Sequence, residues 1–465
     1  MRHRLQNADE KLAAMQTFTQ TVFGGCRVRN LILRSFWLAF LSWSAFGQTG
    51  HWDSALKAGQ RAYGDGRYLE AESDFLQAEK DAESYGLSDP RLAITLNNLG
   101  VLYHRVAKYG EAERAFKQAL EIWEKQTSPQ ALDLATTLNN LAALYTYQNR
   151  YAEAEPLYHK CLDLREKNLG PEHPEVANTL NNLGEFYWEQ GKLAEAEPLY
   201  RRAIFIKEKN RGPRDTELAT SLNNLASVYI RQGKYAESES LYKRSLSIRE
   251  AAFGPEHPDV ANSVNNLASL YSIQGRYSEA EPMYVRSLSM AEKFLGPDHP
   301  DFATGLTNLG ELYFLEKNYA GAEPLLRRAL AIREKALGPD DPKVAQSLDN
   351  LAGLLIMKYK QVNVDSLCLR ALAVRRKMYG PESPEVVASL RTLASVYTQE
   401  GKLPEAEQTY SQALDTIAKQ PKPDSAALAA VCVNLADLYA REGKHKKARK
   451  MTEKAKNLED QQSPS

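Results

Sequence analysis

The sequence predicts an all-α fold, a superhelical solenoid of about ten stacked helix pairs. Three observations predict it. Pro129, Pro171, Pro213, Pro255, Pro297, Pro339 and Pro381 stand 42 residues apart without slippage. Leu96, Leu138, Leu180, Leu222, Val264, Leu306, Leu348, Leu390 and Cys432 keep the same step, so nine repeats run with no insertion. Within each period, apolar residues recur at intervals of three and four, the spacing of amphipathic helices. A self-similar period of this length marks a stack of supersecondary units. It overrides the prior of about three domains that a chain of this length would otherwise set.

The unit is clearest at residues 171–212. Val176, Leu180, Leu183, Gly184 and Tyr187 form the stripe of a first helix, A. Pro174 suits its first turn, where an N–H would lack a partner anyway, and His173 before it can serve as the cap. Gln190 and Gly191 make the turn. A second stripe, Leu193, Ala196, Leu199, Tyr200, Ala203, Ile204 and Ile206, defines helix B, which stops at Gly212 before Pro213. Pro198 lies in the early part of helix B, where it removes one backbone hydrogen bond and predicts a slight bend, repeated at Pro156, Pro282 and Pro324.

Leu183-Gly184, Tyr187, Gly191, Ala196, Tyr200 and Ala203 sit at the spacing of the tetratricopeptide repeat, which the chain resembles over roughly residues 90–456. The long repeats of kinesin light chain are the nearer likeness, in LNNLA, in the GKYxEAEPLY type of segment and in the AIREKxLGPxHP linker. Ordinary tetratricopeptide units are about 34 residues. The extra residues here lengthen helix B and its exit loop. The resemblance implies a right-handed superhelix whose A helices line a concave wall. No heptad region precedes the repeats, so a motor role is not expected.

Charged residues are 25% of the chain and balance to a net charge of zero, so composition points to no polyanionic partner, and nucleic-acid binding is not expected. The four cysteines do not make a disulfide framework: Cys161, Cys368 and Cys432 fall on repeat core positions and read as buried packing. Residues 1–34 are basic and lead into the apolar run SFWLAFLSWSAFG, with small residues Ala45 and Gly47 before Gln48. That grammar predicts a signal peptide over residues 1–47 and a periplasmic or secreted chain. The alternatives are an uncleaved membrane anchor or a cytoplasmic chain, and because the basic leader is long, Met15 is an alternative start.

The solenoid is expected over residues 48–456, in units 52–86, 90–128, 129–170, 171–212, 213–254, 255–296, 297–338, 339–380, 381–422 and 423–456, with a disordered tail at 457–465. The first unit lacks the asparagine pair and reads as an N-terminal cap. Unit eight departs from register, with Leu355 for tyrosine, Tyr359 for the turn glycine and Val364 for the small alanine. That departure is either drift absorbed by repacking or a hinge. The final helix, KHKKARKMTEKAKNLED, is polar enough for a C-terminal cap. Its basic run is either a solvated face or a contact for an anionic surface.

No phosphate-cradling loop, nucleophile elbow or metal-spaced cluster is present, so no catalytic residue, metal, cofactor or small-molecule substrate is expected. His173, His257 and His299 share one loop position with Asp341 and Ser383, and residues that interchange in this way before a helix are caps. The informative positions are polar ones on helix A. The second asparagine of LNN recurs as Asn98, Asn140, Asn182, Asn224, Asn266, Asn308 and Asn350, and again at Asn434.

An amide carries donors and an acceptor, so such a ladder can satisfy the peptide groups of an extended ligand. The family resemblance implies peptide contact at these positions. The other reading is a hydrogen-bonded ladder between neighbouring repeats. One turn on, Trp188 and Phe314 are the expected aromatic anchors, with Tyr147 beside them. Trp188 packing on the next repeat is the alternative for that residue. The expected function is a noncatalytic scaffold that binds a peptide or protein partner in its groove. The runner-up is a regulatory or assembly subunit that docks an enzyme or its own copies on the opposite face. A membrane is a partner only through an uncleaved anchor.

Overall fold

The computed structural model describes residues 50–460 except 107, 127–130, 360–362 and 421–422. The expected leader, residues 1–47, and residues 461–465 of the expected tail lie outside the described residues, while residues 457–460, expected in the disordered tail, continue the last helix. Two compact units are present, divided between Ala252 and Phe253.

The first unit contains α1 (His51–Gly64) with α2 (Tyr68–Glu83), α3 (Pro90–Arg105) with α4 (Tyr109–Glu124), α5 (Ala131–Tyr147) with α6 (Tyr151–Leu169), α7 (Pro174–Glu189) with α8 (Leu193–Arg211), and α9 (Thr216–Arg231) with α10 (Tyr235–Phe253). The second contains α11 (Pro258–Ile273) with α12 (Tyr277–Leu295), α13 (Pro300–Leu315) with α14 (Tyr319–Leu337), α15 (Pro342–Lys358) with α16 (Asp365–Tyr379), α17 (Pro384–Gln399) with α18 (Leu403–Ala418), and α19 (Ser425–Arg441) with α20 (His445–Asp460). Among the described residues there is no strand. Within each unit, odd helices pack on even helices and on the next odd helix, the nearest-neighbour order of a solenoid.

The helix ends follow from local chemistry. His173 Nδ1 accepts from Glu175 N at 3.2 Å, His257 Nδ1 from Asp259 N at 3.2 Å and His299 Nδ1 from Asp301 N at 3.1 Å. Asp341 Oδ1 does the same from Lys343 N at 2.7 Å and Ser383 Oγ from Val386 N at 3.3 Å. The interchange seen in the sequence is therefore an N-cap series. Hairpin turns are made with a left-handed residue, as Gly191 at φ +76° and, without glycine, Asn149 at φ 60° and Lys317 at φ 61°.

Odd and even helices differ more than their stripes suggest. In α7, Val176, Leu180 and Leu183 are buried as expected, but so are Asn181, Asn182, Glu185, Phe186 and Trp188. An odd helix has neighbours on several sides, so most of its circumference is enclosed. In α8 only Ala196, Tyr200, Ala203, Ile206 and Lys207 are buried, a single stripe. Cys161, Cys368 and Cys432 are buried free thiols.

The odd helix meets its partner at a small residue. A methyl group added at Gly184 would stand 2.8 Å from the Tyr200 ring, and one at Gly100 would stand 2.5 Å from Phe116. Gly184→Ala is expected to lower stability by about 1–3 kcal/mol through overpacking, despite its better helix propensity. Urea unfolding checks this, and an unchanged midpoint would show that the Tyr200 ring moves aside at little cost.

Unit eight departs from the other hairpins at its second helix. α12, α14 and α18 begin at Tyr277, Tyr319 and Leu403, but α16 begins only at Asp365. Val364 takes the buried place that Ala322 and Ala406 hold in their hairpins. Glu400 Oε1 accepts from Val364 N at 3.3 Å, and Lys402 bonds Asp365 at 2.6 Å, so the next repeat secures the shortened helix start.

Candidate functional site

The asparagine columns lie on the odd helices, where the sequence placed them, and several amides are used inside the stack. Asn140 Nδ2 donates to Asn97 Oδ1 at 2.9 Å and Asn182 Nδ2 to Asn139 Oδ1 at 3.0 Å, each across one repeat of the first unit. In the second unit Asn308 Nδ2 donates to Asn265 Oδ1 at 2.8 Å and Asn350 Nδ2 to Glu311 Oε1 at 2.9 Å. Asn98 is buried and accepts from Asn97 Nδ2 at 3.4 Å. Four of the seven columned asparagines, Asn140, Asn182, Asn308 and Asn350, thus bond across neighbouring repeats, while the Asn97–Asn98 bond lies within α3.

Asn224 and Asn266 differ. Neither side chain makes a hydrogen bond among the described residues, although Asn224 is buried and Asn266 half-buried. Beside Asn224, Asn223 Oδ1 is enclosed without a partner, and so are Asn181 Oδ1, Asn182 Oδ1 and Trp188 Nε1 on α7. An enclosed polar atom without a partner costs about 1–3 kcal/mol, so α7 and α9 carry a concentration of unmet hydrogen-bonding capacity.

The expected aromatic anchors are engaged by their own chain. Trp188 is buried. Arg231 of the next repeat donates to its backbone oxygen at 2.8 Å and holds its guanidinium 5.3 Å from the indole ring centroid. Phe314 belongs to the core of the second unit, 5.5 Å from the Tyr319 ring. Tyr147 is half-buried, with its ring 5.5 Å from His104 and 5.1 Å from Tyr109. Trp188 and Tyr147 lie in the first unit and Phe314 in the second.

A column that sequence reading missed runs along the even helices. Arg165 on α6, nearly enclosed, donates from Nη1 to Thr179 Oγ1 at 2.8 Å and Glu175 O at 3.0 Å, and from Nη2 to Thr136 Oγ1 at 3.2 Å. Arg333 bonds Ser347 at 2.7 Å and Thr304 at 3.3 Å in the same manner. Lys207, Arg249 and Arg375 occupy equivalent positions. The signal was legible: each basic residue is followed 14 residues later by Thr or Ser, whereas Ala291 and Ile417 are followed by Gly305 and Val431.

Among the described residues no group of three or more His, Cys, Asp or Glu is placed to hold a metal ion, and no helix is long and apolar enough to cross a membrane. The paired helices and their polar odd-helix columns define a helical-repeat protein. A family model, the tetratricopeptide repeat, matches residues 62–125, 133–209, 217–293, 301–358, 366–417 and 392–458. The chain belongs to the tetratricopeptide repeat family.

No curated protein matches the chain. Among solved structures it is similar to BtubC from P. vanneervenii, at 24% identity over 50% of this chain and 92% of that chain, with a TM-score of 0.41. It is also similar in fold to the apo quorum sensor NprR from B. thuringiensis, at 14% identity over 78% and 97% of the chains, TM-score 0.52. A Rap protein complexed with Competence and Sporulation Factor shares 15% identity over 79% and 98%, TM-score 0.51.

Proposed function

We propose that the protein is a noncatalytic scaffold that takes an extended segment of a protein partner along its odd helices, with α7 and α9 at the centre of the contact. The observation that carries this reading is the unused amide pair Asn223–Asn224, beside partnerless groups on Asn181 and Trp188. A peptide backbone offers one donor and one acceptor per residue, which matches the amide and is indifferent to side-chain sequence. Membership of a repeat family and the lack of any catalytic motif support a binding role. Export belongs to the reading, on the strength of the basic leader and apolar run before Gln48.

The test separates unused amides from ladder amides. The full chain, the Asn223→Ala/Asn224→Ala double variant and Asn182→Ala are each used to capture partners from native lysate and envelope extract. The double variant is expected to lose the captured partner at an unchanged melting temperature, because its amides bond nothing within the chain. Asn182→Ala removes the donor to Asn139 and is expected to cost about 1 kcal/mol of stability. Retention of the same partner by the double variant would place the binding surface elsewhere.

A further inference from the structure

We propose that the even-helix face of the last repeats, centred on α20, binds an acidic segment of a partner protein. The observation is a charge ladder that stops. On successive even helices a cation reaches back 36 residues to a carboxylate, as Lys160 does to Glu124 at 3.1 Å. Arg202 reaches Glu166 at 2.7 Å and Arg244 reaches Glu208 at 2.6 Å. In the second unit Arg328 reaches Glu292 at 3.1 Å and Arg370 reaches Glu334 at 2.5 Å.

Beyond Arg370 the carboxylate position is filled by Arg376 and then Ala418, while the cation position is filled by Gln412 and then Lys454. Arg376 and Lys454 are therefore exposed cations with no carboxylate partner among the described residues. On α20, Lys446 and Lys450 are likewise exposed and unpaired, and with Lys454 they form a row at intervals of four residues, one above the other on a single helix face. The nearby acids are taken: Glu407 by Lys444 and Lys447, and Glu453 by Arg449. This surplus is local, since the chain as a whole has no net charge.

A row of flexible ammonium groups without competing carboxylates suits a run of Asp or Glu side chains. Other polyanions fit less well. Of the apolar residues of α20, Ala448, Met451 and Ala455 are turned inward, and the half-buried Leu458 near its end is the one left, too little apolar surface to enter a lipid bilayer. α20 has no Phe, Tyr or Trp on which a base could stack, and its one ring is the small imidazole of His445 at its first residue. The surface is separate from the odd-helix contact proposed above and stands without it.

The test titrates the full chain with fluorescent poly-L-glutamate, phosphatidylglycerol vesicles and a single-stranded oligonucleotide, at low and at high salt. The expected result is binding of polyglutamate that weakens steeply with salt. It should fall at least ten-fold in the Lys446→Glu/Lys450→Glu/Lys454→Glu variant, and fall in part when the same residues become Gln. Circular dichroism of the variants checks that the helices persist. No binding of polyglutamate, equal binding by the Glu variant, or binding of vesicles or oligonucleotide alone would overturn the proposal.

Discussion

Replacing Arg165 by alanine is expected to destabilise the first unit by about 3 kcal/mol. Arg165 is 3% exposed and is held by Thr136 of α5 and by Glu175 and Thr179 of α7, so one guanidinium on α6 joins two successive odd helices. Truncation removes its charge-assisted bonds and leaves a cavity beside two threonine hydroxyls. The chain also contains the remedy. At the equivalent positions Ile417 is paired with Val431, both buried, so an apolar pair fills the same space without polar demands. Arg165→Ile combined with Thr179→Val is therefore expected to recover most of the loss. Urea unfolding, with hydrogen exchange across α5 to α7, measures both. A loss below about 0.5 kcal/mol in the single variant, or no recovery in the double variant, would show that the guanidinium is dispensable.

What the sequence made legible follows the range of the interaction that produces it. Caps act over two or three residues, so His173, Asp341 and Ser383 could be assigned from their place before a proline-led helix. The turn and stop glycines were equally local, because a positive φ is needed at Gly191 and Gly212. Burial of the cysteines followed from register, since Cys161 stands where Ala203 stands one repeat later. The asparagines show where this reach ends. Their period placed them in one column of the odd helices, but the direction of an amide depends on the neighbouring repeat. Asn182 finds Asn139 and Asn224 finds no bond. The basic column was hidden for another reason: charged residues on a helix outside the apolar stripe read as solvated. Only the matched hydroxyls at Thr179 and Ser347 marked Arg165 and Arg333 as enclosed, and Ser389 marked Arg375 as half-buried.

Replacing Lys207 by methionine is expected to stabilise the protein at neutral pH and to flatten its pH dependence above pH 8. Lys207 occupies the Arg165 position but reaches less: Nζ donates to Glu217 O at 3.3 Å and stands 3.7 Å from Glu217 Oε2, whose other oxygen is taken by Arg211 at 2.7 Å. Burial therefore dominates and lowers the ammonium to about 8, against the opposing influence of Glu217 and Asp215 and with a further push downward from Arg211. A lysine whose folded pKa is depressed binds its proton more readily in the unfolded chain. Between about pH 8 and the unfolded value near 10.4, the unfolded state holds more protons, so this group makes stability rise with pH.

Below pH 8 the enclosed charge imposes its full cost, on the order of 3 kcal/mol. Methionine fills a similar volume without that charge, and a gain of about 1–3 kcal/mol at pH 7 is expected, because part of the benefit is offset by the lost bond to Glu217 O. Arginine at this position, with the wider reach seen at Arg165, should also stabilise but should leave no lysine step between pH 8 and 10. The difference in unfolding free energy between wild type and Lys207→Met, measured from pH 7 to 10, isolates this group from contributions common to both chains. That difference should shrink as pH rises. A methionine variant less stable at pH 7, or a difference that grows with pH, would mean that Glu217 compensates the buried ammonium in full.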